Sequence, residues 1–99
     1  MAKKSPAQQT NVYGRVTRVD DETLTGNVVV WVTPSTWQSE PIAIEFPTQA
    51  GKARTMHDMM EARLAERALA LEVDEEVAIS YYLMTRGKTP WLLGTAILL

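Results

Sequence analysis

Aromatic and basic side chains recur in the parts of this sequence where apolar and polar residues alternate. They are Tyr13, Arg15, Trp31, Tyr82, Arg86 and Lys88. Aromatic rings can stack on nucleic-acid bases, and arginine or lysine side chains can contact phosphates. If these residues share one face of a sheet, that face is suited to binding a single strand of nucleic acid.

The segment Gly87-Lys88-Thr89 is similar to the end of a phosphate-binding P-loop. The complete motif needs a glycine five residues before Gly87, where this chain has Tyr82. It also needs a helix after the threonine, whereas Pro90 begins an apolar run here. The segment is therefore predicted to be a hairpin turn.

Catalytic and metal-binding signatures are missing from the sequence. His57 is the single histidine, and there is no cysteine to act as a second ligand or as a nucleophile. The acidic run Asp20-Asp21-Glu22 lacks the alternating ligands and the glycine of an EF-hand loop, so it is interpreted as a solvated turn. We therefore expect no enzyme activity, no cofactor and no bound metal.

The spacing of apolar residues predicts five strands and one helix. Period-two alternation begins at Val12, and a bend is expected at Gly14, because a glycine inside a strand often marks a bulge. The period changes to 3.6 once, which predicts a helix at about residues 55–72. The remaining strands are predicted at 28–33, 42–46, 77–84 and 91–98.

The order β-β-β-α-β-β over residues 12–98 resembles that of the OB-fold superfamily, a small Greek-key barrel. The resemblance implies a mainly β, five-stranded OB-like barrel with one helix that closes an end. It also implies a binding surface on strands two and three, flanked by the loop between strands one and two and the loop between strands four and five. Another small β-barrel, or a curved sheet packed against one helix, has the same order of elements.

Strand alternation also predicts which side chains face outward. If Val30 lies in the core, Trp31 faces outward, and if Leu83 lies inside, Tyr82 faces outward. The helix is expected to pack on the barrel through a methionine-rich face made of Met56, Met60, Leu64, Ala68 and Leu71. The predicted core includes Val30, Ile44, Leu64, Ile79 and Ile97.

Length and composition are those of one small globular domain. The chain has 99 residues, of which 45% are hydrophobic and 22% charged, and its net charge is −2. Residues 1–11 are expected to form a flexible tail and residues 12–99 a single OB-like domain. No apolar run follows the N-terminal lysines, and the apolar run 91–99 is too short to span a bilayer, so we predict a cytoplasmic location without membrane contact.

Two functions remain open on these grounds. One is an accessory protein that binds single-stranded DNA or RNA through its aromatic and basic residues, although the acidic net charge argues against it. The other is a protein-interaction or assembly module, in which Trp31 and Trp37 anchor a partner. The apolar end Ile97-Leu98-Leu99 also predicts a homo-oligomer that forms through the C-terminal strand.

Overall fold

The chain folds into five strands and one helix, in the predicted order. The structure, a computed structural model, describes residues 9–22, 27–36, 40–48 and 55–98. The elements are β1 (Gln9–Glu22), β2 (Asn27–Pro34), β3 (Ile42–Pro47), α1 (Met56–Leu69), β4 (Glu76–Arg86) and β5 (Thr89–Ile97). The changes of apolar period in the sequence thus identified each of these elements.

The five strands close into a barrel in the order β1-β2-β3-β5-β4. Neighbouring strands are antiparallel except β3 and β5, which are parallel and meet at Glu45 and Leu93. The ring closes because β1 is long enough to pair with both β2 and β4. Closure confirms the predicted five-stranded OB-like barrel and rules out a curved open sheet.

At Gly14, β1 pairs with both of its neighbouring strands. Gly14 lies opposite Pro34 of β2 and opposite Val77 of β4. A Cβ atom at this position would overlap the main-chain carbonyl group of Thr33. Glycine is therefore required here because two backbones approach each other closely.

A β-bulge lies farther along β1, at Thr17. Val16 pairs with Val32 and Arg18 pairs with Trp31, so Thr17 is an extra residue with no partner in the ladder. A bulge of this kind shifts the alternation of side chains by one residue. As a result Arg18 faces outward beside Trp31, although the pattern at the start of β1 would have directed it into the core.

β-Branched residues and one phenylalanine fill the barrel. The largest fully buried side chains are Phe46, Ile44, Ile79, Val16, Val28, Val30, Val32 and Val77. Ile97 is also buried, so four of the five predicted core positions are confirmed. The fifth, Leu64, packs against the core but is only partly buried.

The helix packs on the barrel through alanines rather than methionines. Ala65 and Ala68 are buried, whereas Met56 and Met60 are 75% and 62% exposed. The predicted methionine-rich face was therefore wrong in its N-terminal half. Because alanine has no atoms beyond Cβ, the alanine face lets the helix backbone lie close to the strands, and the longer methionine side chains remain outside.

The ends of the elements also differ from the prediction, most of all in β1, α1 and β4. β1 begins at Gln9, so residues 9–11, which were expected to belong to the tail, pair with β4; residues 1–8 lie outside the described part of the chain. The helix ends at Leu69, three residues early. Leu83 was expected to lie inside the barrel but is 61% exposed. Tyr82 is the last residue of β4 that pairs with the described part of β1, and Leu83 lies beyond it.

Candidate functional site

The strand register places Tyr13, Arg15 and Trp31 on the outer face of the barrel. Val12 and Val16 are buried, so Tyr13 and Arg15, which alternate with these inward-facing positions, face outward and are exposed. Trp31 alternates with buried valines of β2 and is half-buried on the same outer surface. The barrel therefore imposes the outward orientation that strand alternation predicts for Trp31.

Pairing between strands arranges these side chains in a line along β1. Tyr82 of β4 lies opposite the first residue of β1, and Trp31 of β2 lies opposite Arg18, near the far end. Tyr13 and Arg15 lie between them. A strand rises about 3.3 Å per residue, so Tyr13 is about 13 Å along β1 from Tyr82 and about 15 Å from Trp31. We call Tyr82, Tyr13, Arg15, Arg18 and Trp31 the β1 row.

The indole of Trp31 is fixed at its edge. Its Nε1 donates a hydrogen bond of 3.2 Å to Oδ2 of Asp20, and Nε of Arg18 donates one of 2.6 Å to Oδ1 of the same carboxylate. Thr17 donates from Oγ1 to the main-chain oxygen of Trp31 at 3.3 Å. Because the ring is already ordered, less conformational entropy is lost when a flat ligand stacks on it.

Arg15 is linked to the chain around the start of β4. Its Nη2 lies 3.3 Å from Oε1 of Glu76, and its Nη1 donates to the main-chain oxygen of Asp74 at 3.2 Å. The side chains of this ion pair are 59% and 55% exposed. An exposed pair contributes about 0–1 kcal/mol, so a phosphate can replace the carboxylate of Glu76 at little cost.

Carboxylates accompany both arginines of the β1 row. Glu76 pairs with Arg15 and Asp20 pairs with Arg18, so these four side chains carry no net charge between them. A surface without excess positive charge does not attract a polyanion from a distance. Any affinity for nucleic acid must therefore come from stacking and from phosphates that displace the carboxylates at short range.

The β4–β5 turn carries the other predicted cations. Arg86 pairs with Thr89 in a tight hairpin, with Gly87 at φ +65°, so the predicted turn is confirmed. Lys88 is exposed, and it has no ion-pair or hydrogen-bond partner within the described residues. The side chain of Arg86 and all of Trp37 lie outside the described part. The turn follows Tyr82, at the end of the β1 row that is opposite Trp31.

Metal-ligating side chains do not gather anywhere in the described ranges. No group of three or more histidine, aspartate or glutamate side chains is found among those residues. The acidic run Asp20-Asp21-Glu22 was predicted to be a solvated turn, but it forms the end of β1 and pairs with residues 27–29 of β2, so that prediction was wrong. Asp20 is engaged with Arg18 and Trp31. The side chain of His57 lies outside the described part of the structure.

A groove that the sequence analysis missed lies between α1 and the β4–β5 hairpin. Its volume is about 570 Å³, and residues 93–97 and Tyr82 form the side opposite the helix. The helix contributes Met60, Glu61, Arg63, Leu64 and Arg67. We call this the α1–β5 groove. The spacing of Arg63 and Arg67, four residues apart on one helix face, was the available signal.

No protein-family model, curated protein or solved structure matches this chain. Within the described ranges, no helix is long and apolar enough to cross a lipid bilayer. What the β1 row and the α1–β5 groove can bind must therefore be argued from their own residues.

Proposed function

We propose that this chain binds single-stranded nucleic acid along the β1 row, as a cytoplasmic accessory protein built on an OB-like barrel. The observation that carries the proposal is the strand register, which aligns three outward aromatic rings with two arginines. Every base has a flat face, so aromatic stacking accepts any sequence while cations contact the phosphates. The strand order and the position of the helix also support membership of the OB-fold superfamily.

The roles of the residues follow from their surroundings. Bases stack on the exposed ring of Tyr13 and on the edge-fixed ring of Trp31. Arg15 exchanges the exposed carboxylate of Glu76 for a phosphate, and the exposed side chain of Arg18 leaves the partly buried carboxylate of Asp20 for another. Successive rings are about 13–15 Å apart, so a bound strand runs extended along β1 instead of inserting neighbouring bases between two rings.

The β4–β5 turn extends this surface beyond Tyr82. Lys88 is exposed there, and Arg86 ends β4 beside it, so both are assigned to phosphate contacts. Because Arg15 and Arg18 begin with carboxylate partners, Lys88 gives up less than either of them on binding. We therefore expect weak binding at physiological salt and tighter binding at low ionic strength.

A titration of fluorescein-labelled oligothymidylate and oligouridylate with the full chain tests the proposal. At low ionic strength the fluorescence anisotropy is expected to rise to saturation, and added salt is expected to reverse the rise, because phosphate contacts release counterions. Duplex DNA of mixed sequence is the control, since its bases are stacked on each other and are not free to stack on Tyr13. The absence of any anisotropy change with both oligonucleotides would refute the proposal.

A second candidate function, assembly through the C-terminal strand, is supported by Leu98. The main-chain N–H of Leu98 donates to the carbonyl oxygen of Ala78 at 2.8 Å, so the backbone is held against β4. Its side chain is nevertheless 62% exposed. An ordered, exposed leucine beyond the last residue of β5 is a suitable contact for a second copy of the chain.

A further inference from the structure

The α1–β5 groove combines an apolar surface with unpaired positive charge. Arg63 and Arg67 are exposed, and neither has an ion-pair or hydrogen-bond partner in the described part of the chain. By contrast, Arg15 and Arg18 on the β1 row both pair with carboxylates. Unpaired arginines on a chain of net charge −2 mark the groove as a local excess of positive charge.

Two features of the groove bear on this excess of positive charge, but neither cancels it. Arg67 lies in the last turn of α1, where a cation also stabilises the helix dipole. Arg63 lies one turn earlier and has no such explanation. Glu61, the one carboxylate that lines the groove, already has a contact of its own. The groove therefore presents two positive charges separated by about 6 Å along the helix axis.

The apolar part of the groove is continuous with the exposed methionines of α1. Met60 lines the groove and is 62% exposed, and Met56, one turn earlier, is 75% exposed. Across the groove, Leu93 and Tyr82 lie opposite each other in the β4–β5 hairpin. Methionine adapts its shape to different partners and is frequent on protein-binding surfaces. The helix thus offers apolar contacts at its N-terminal end and positive charge at its C-terminal end.

We propose that the α1–β5 groove binds an acidic amphipathic segment of a partner protein. Its carboxylates pair with Arg63 and Arg67, and its apolar side chains cover Met60 and Leu64. The charge and the apolar surface of such a segment complement those of the groove. Arginine binds carboxylates with two parallel hydrogen bonds, and amphipathic segments bury their apolar face in grooves of this kind. A volume of about 570 Å³ lies within the range of about 300–1,000 Å³ found for binding sites.

A single strand of nucleic acid fits this groove less well than it fits the β1 row. Tyr82 is the one aromatic residue in the lining of the groove, and bases gain most from stacking on aromatic rings. The groove proposal goes beyond the proposed function, because it concerns a different class of partner and a surface that shares only Tyr82 with the β1 row. Either can fail without the other.

The test uses two synthetic peptides as probes, one of leucine and glutamate in an amphipathic helical pattern, and one with lysine replacing each glutamate. The methionine methyl signals of the full chain are followed by NMR. We expect the glutamate peptide to shift the Met60 and Met56 signals and the lysine peptide to shift neither. Arg63→Gln with Arg67→Gln is expected to weaken binding about tenfold, as for the loss of two exposed ion pairs. Arg15→Gln is the control and should bind normally.

Several results would overturn the proposal. Equal binding of the two peptides, or unchanged binding by the double variant, would show that charge does not select the partner. If oligothymidylate shifts the Met60 signal and the double variant abolishes that shift, the groove binds nucleic acid. If the chain self-associates and the double variant is monomeric in sedimentation, the occupant is a second copy. Both substituted arginines are exposed, so the double variant is expected to fold, with a melting temperature only a few degrees lower because Arg67 no longer stabilises the helix dipole.

Discussion

The indole N–H of Trp31 and the carboxylate of Asp20 form a hydrogen bond of 3.2 Å across the β1–β2 pair. The other oxygen of that carboxylate accepts a hydrogen bond of 2.6 Å from Arg18. Asp20 therefore has two opposing effects on a bound polyanion. It fixes the ring on which a base is proposed to stack, and its negative charge repels the phosphates.

Replacing Asp20 with asparagine separates these two effects. The amide oxygen can still accept the indole hydrogen bond, but the charge is lost and Arg18 becomes free to contact a phosphate. We expect Asp20→Asn to bind oligothymidylate roughly two- to tenfold more tightly at low salt, in keeping with the worth of one exposed charge pair. The gain should disappear at high salt. Glu66→Gln, at an exposed position of α1, makes the same change in net charge and is the control. Weaker binding by Asp20→Asn alone would show that positioning of the Trp31 ring matters more than repulsion between Asp20 and the phosphates.

Removal of a stacking ring should weaken binding at the β1 row. Tyr13→Ala and Trp31→Ala are each expected to cost about 1–3 kcal/mol of binding free energy, the usual contribution of one stacked base. Leu69→Ala removes an exposed side chain from α1 and should leave the affinity unchanged. Anisotropy titrations measure all three variants. Normal affinity in both ring variants would mean that no base contacts these rings, whatever else the surface binds.

Assembly through the C-terminal strand predicts a change in sedimentation. The full chain is expected to sediment at more than its monomer mass of 11.1 kDa, and Leu98→Asn is expected to return it to the monomer. Leu83→Asn is the matched control, since Leu83 is 61% exposed and Leu98 62%. A chain that remains monomeric at all concentrations, or an assembly that Leu83→Asn disrupts equally, would contradict this prediction.

The strands were predictable because local sequence and burial agree in them. Val28, Val30 and Val32 alternate with outward residues on a stretch rich in β-branched side chains, and all three are buried in the barrel. The outward position of Trp31 follows from that alternation alone. Which strands are neighbours cannot be obtained in this way, because it depends on β1 pairing with both β2 and β4.

The features that the sequence did not predict depend on contacts between distant segments. The outward position of Arg18 requires the bulge at Thr17, which is visible only in the register with β2. On the helix, a hydrophobicity pattern ranks Met60 above Ala65 as a core residue. The close approach of α1 to the barrel reverses that order, because it leaves room for Cβ atoms and not for longer side chains.

Two substitutions in α1, one at a buried and one at an exposed position, test this packing. Ala68 is completely buried, so Ala68→Met adds atoms to a filled site and should lower the free energy of unfolding by about 1–3 kcal/mol. Met60→Ala removes an exposed side chain and should change it by no more than about 0.5 kcal/mol. Urea denaturation of the two variants measures both values. A larger loss for Met60→Ala would restore the methionine-rich face as the one that stabilises the barrel.

Glycine is required at Gly14 for a different reason than at Gly87. A Cβ atom at position 14 would overlap the backbone of Thr33, whereas a Cβ atom at position 87 meets nothing within 4 Å, and only the positive φ opposes a side chain there. Gly87→Ala is therefore expected to cost about 1–2 kcal/mol, the penalty of one left-handed residue. Gly14→Ala should cost about 3 kcal/mol or more, because neither strand can move away without breaking ladder hydrogen bonds on both sides of β1. Urea midpoints give the comparison, and a Gly14→Ala variant as stable as Gly87→Ala would mean that β1 can move away from β2 without opening the barrel.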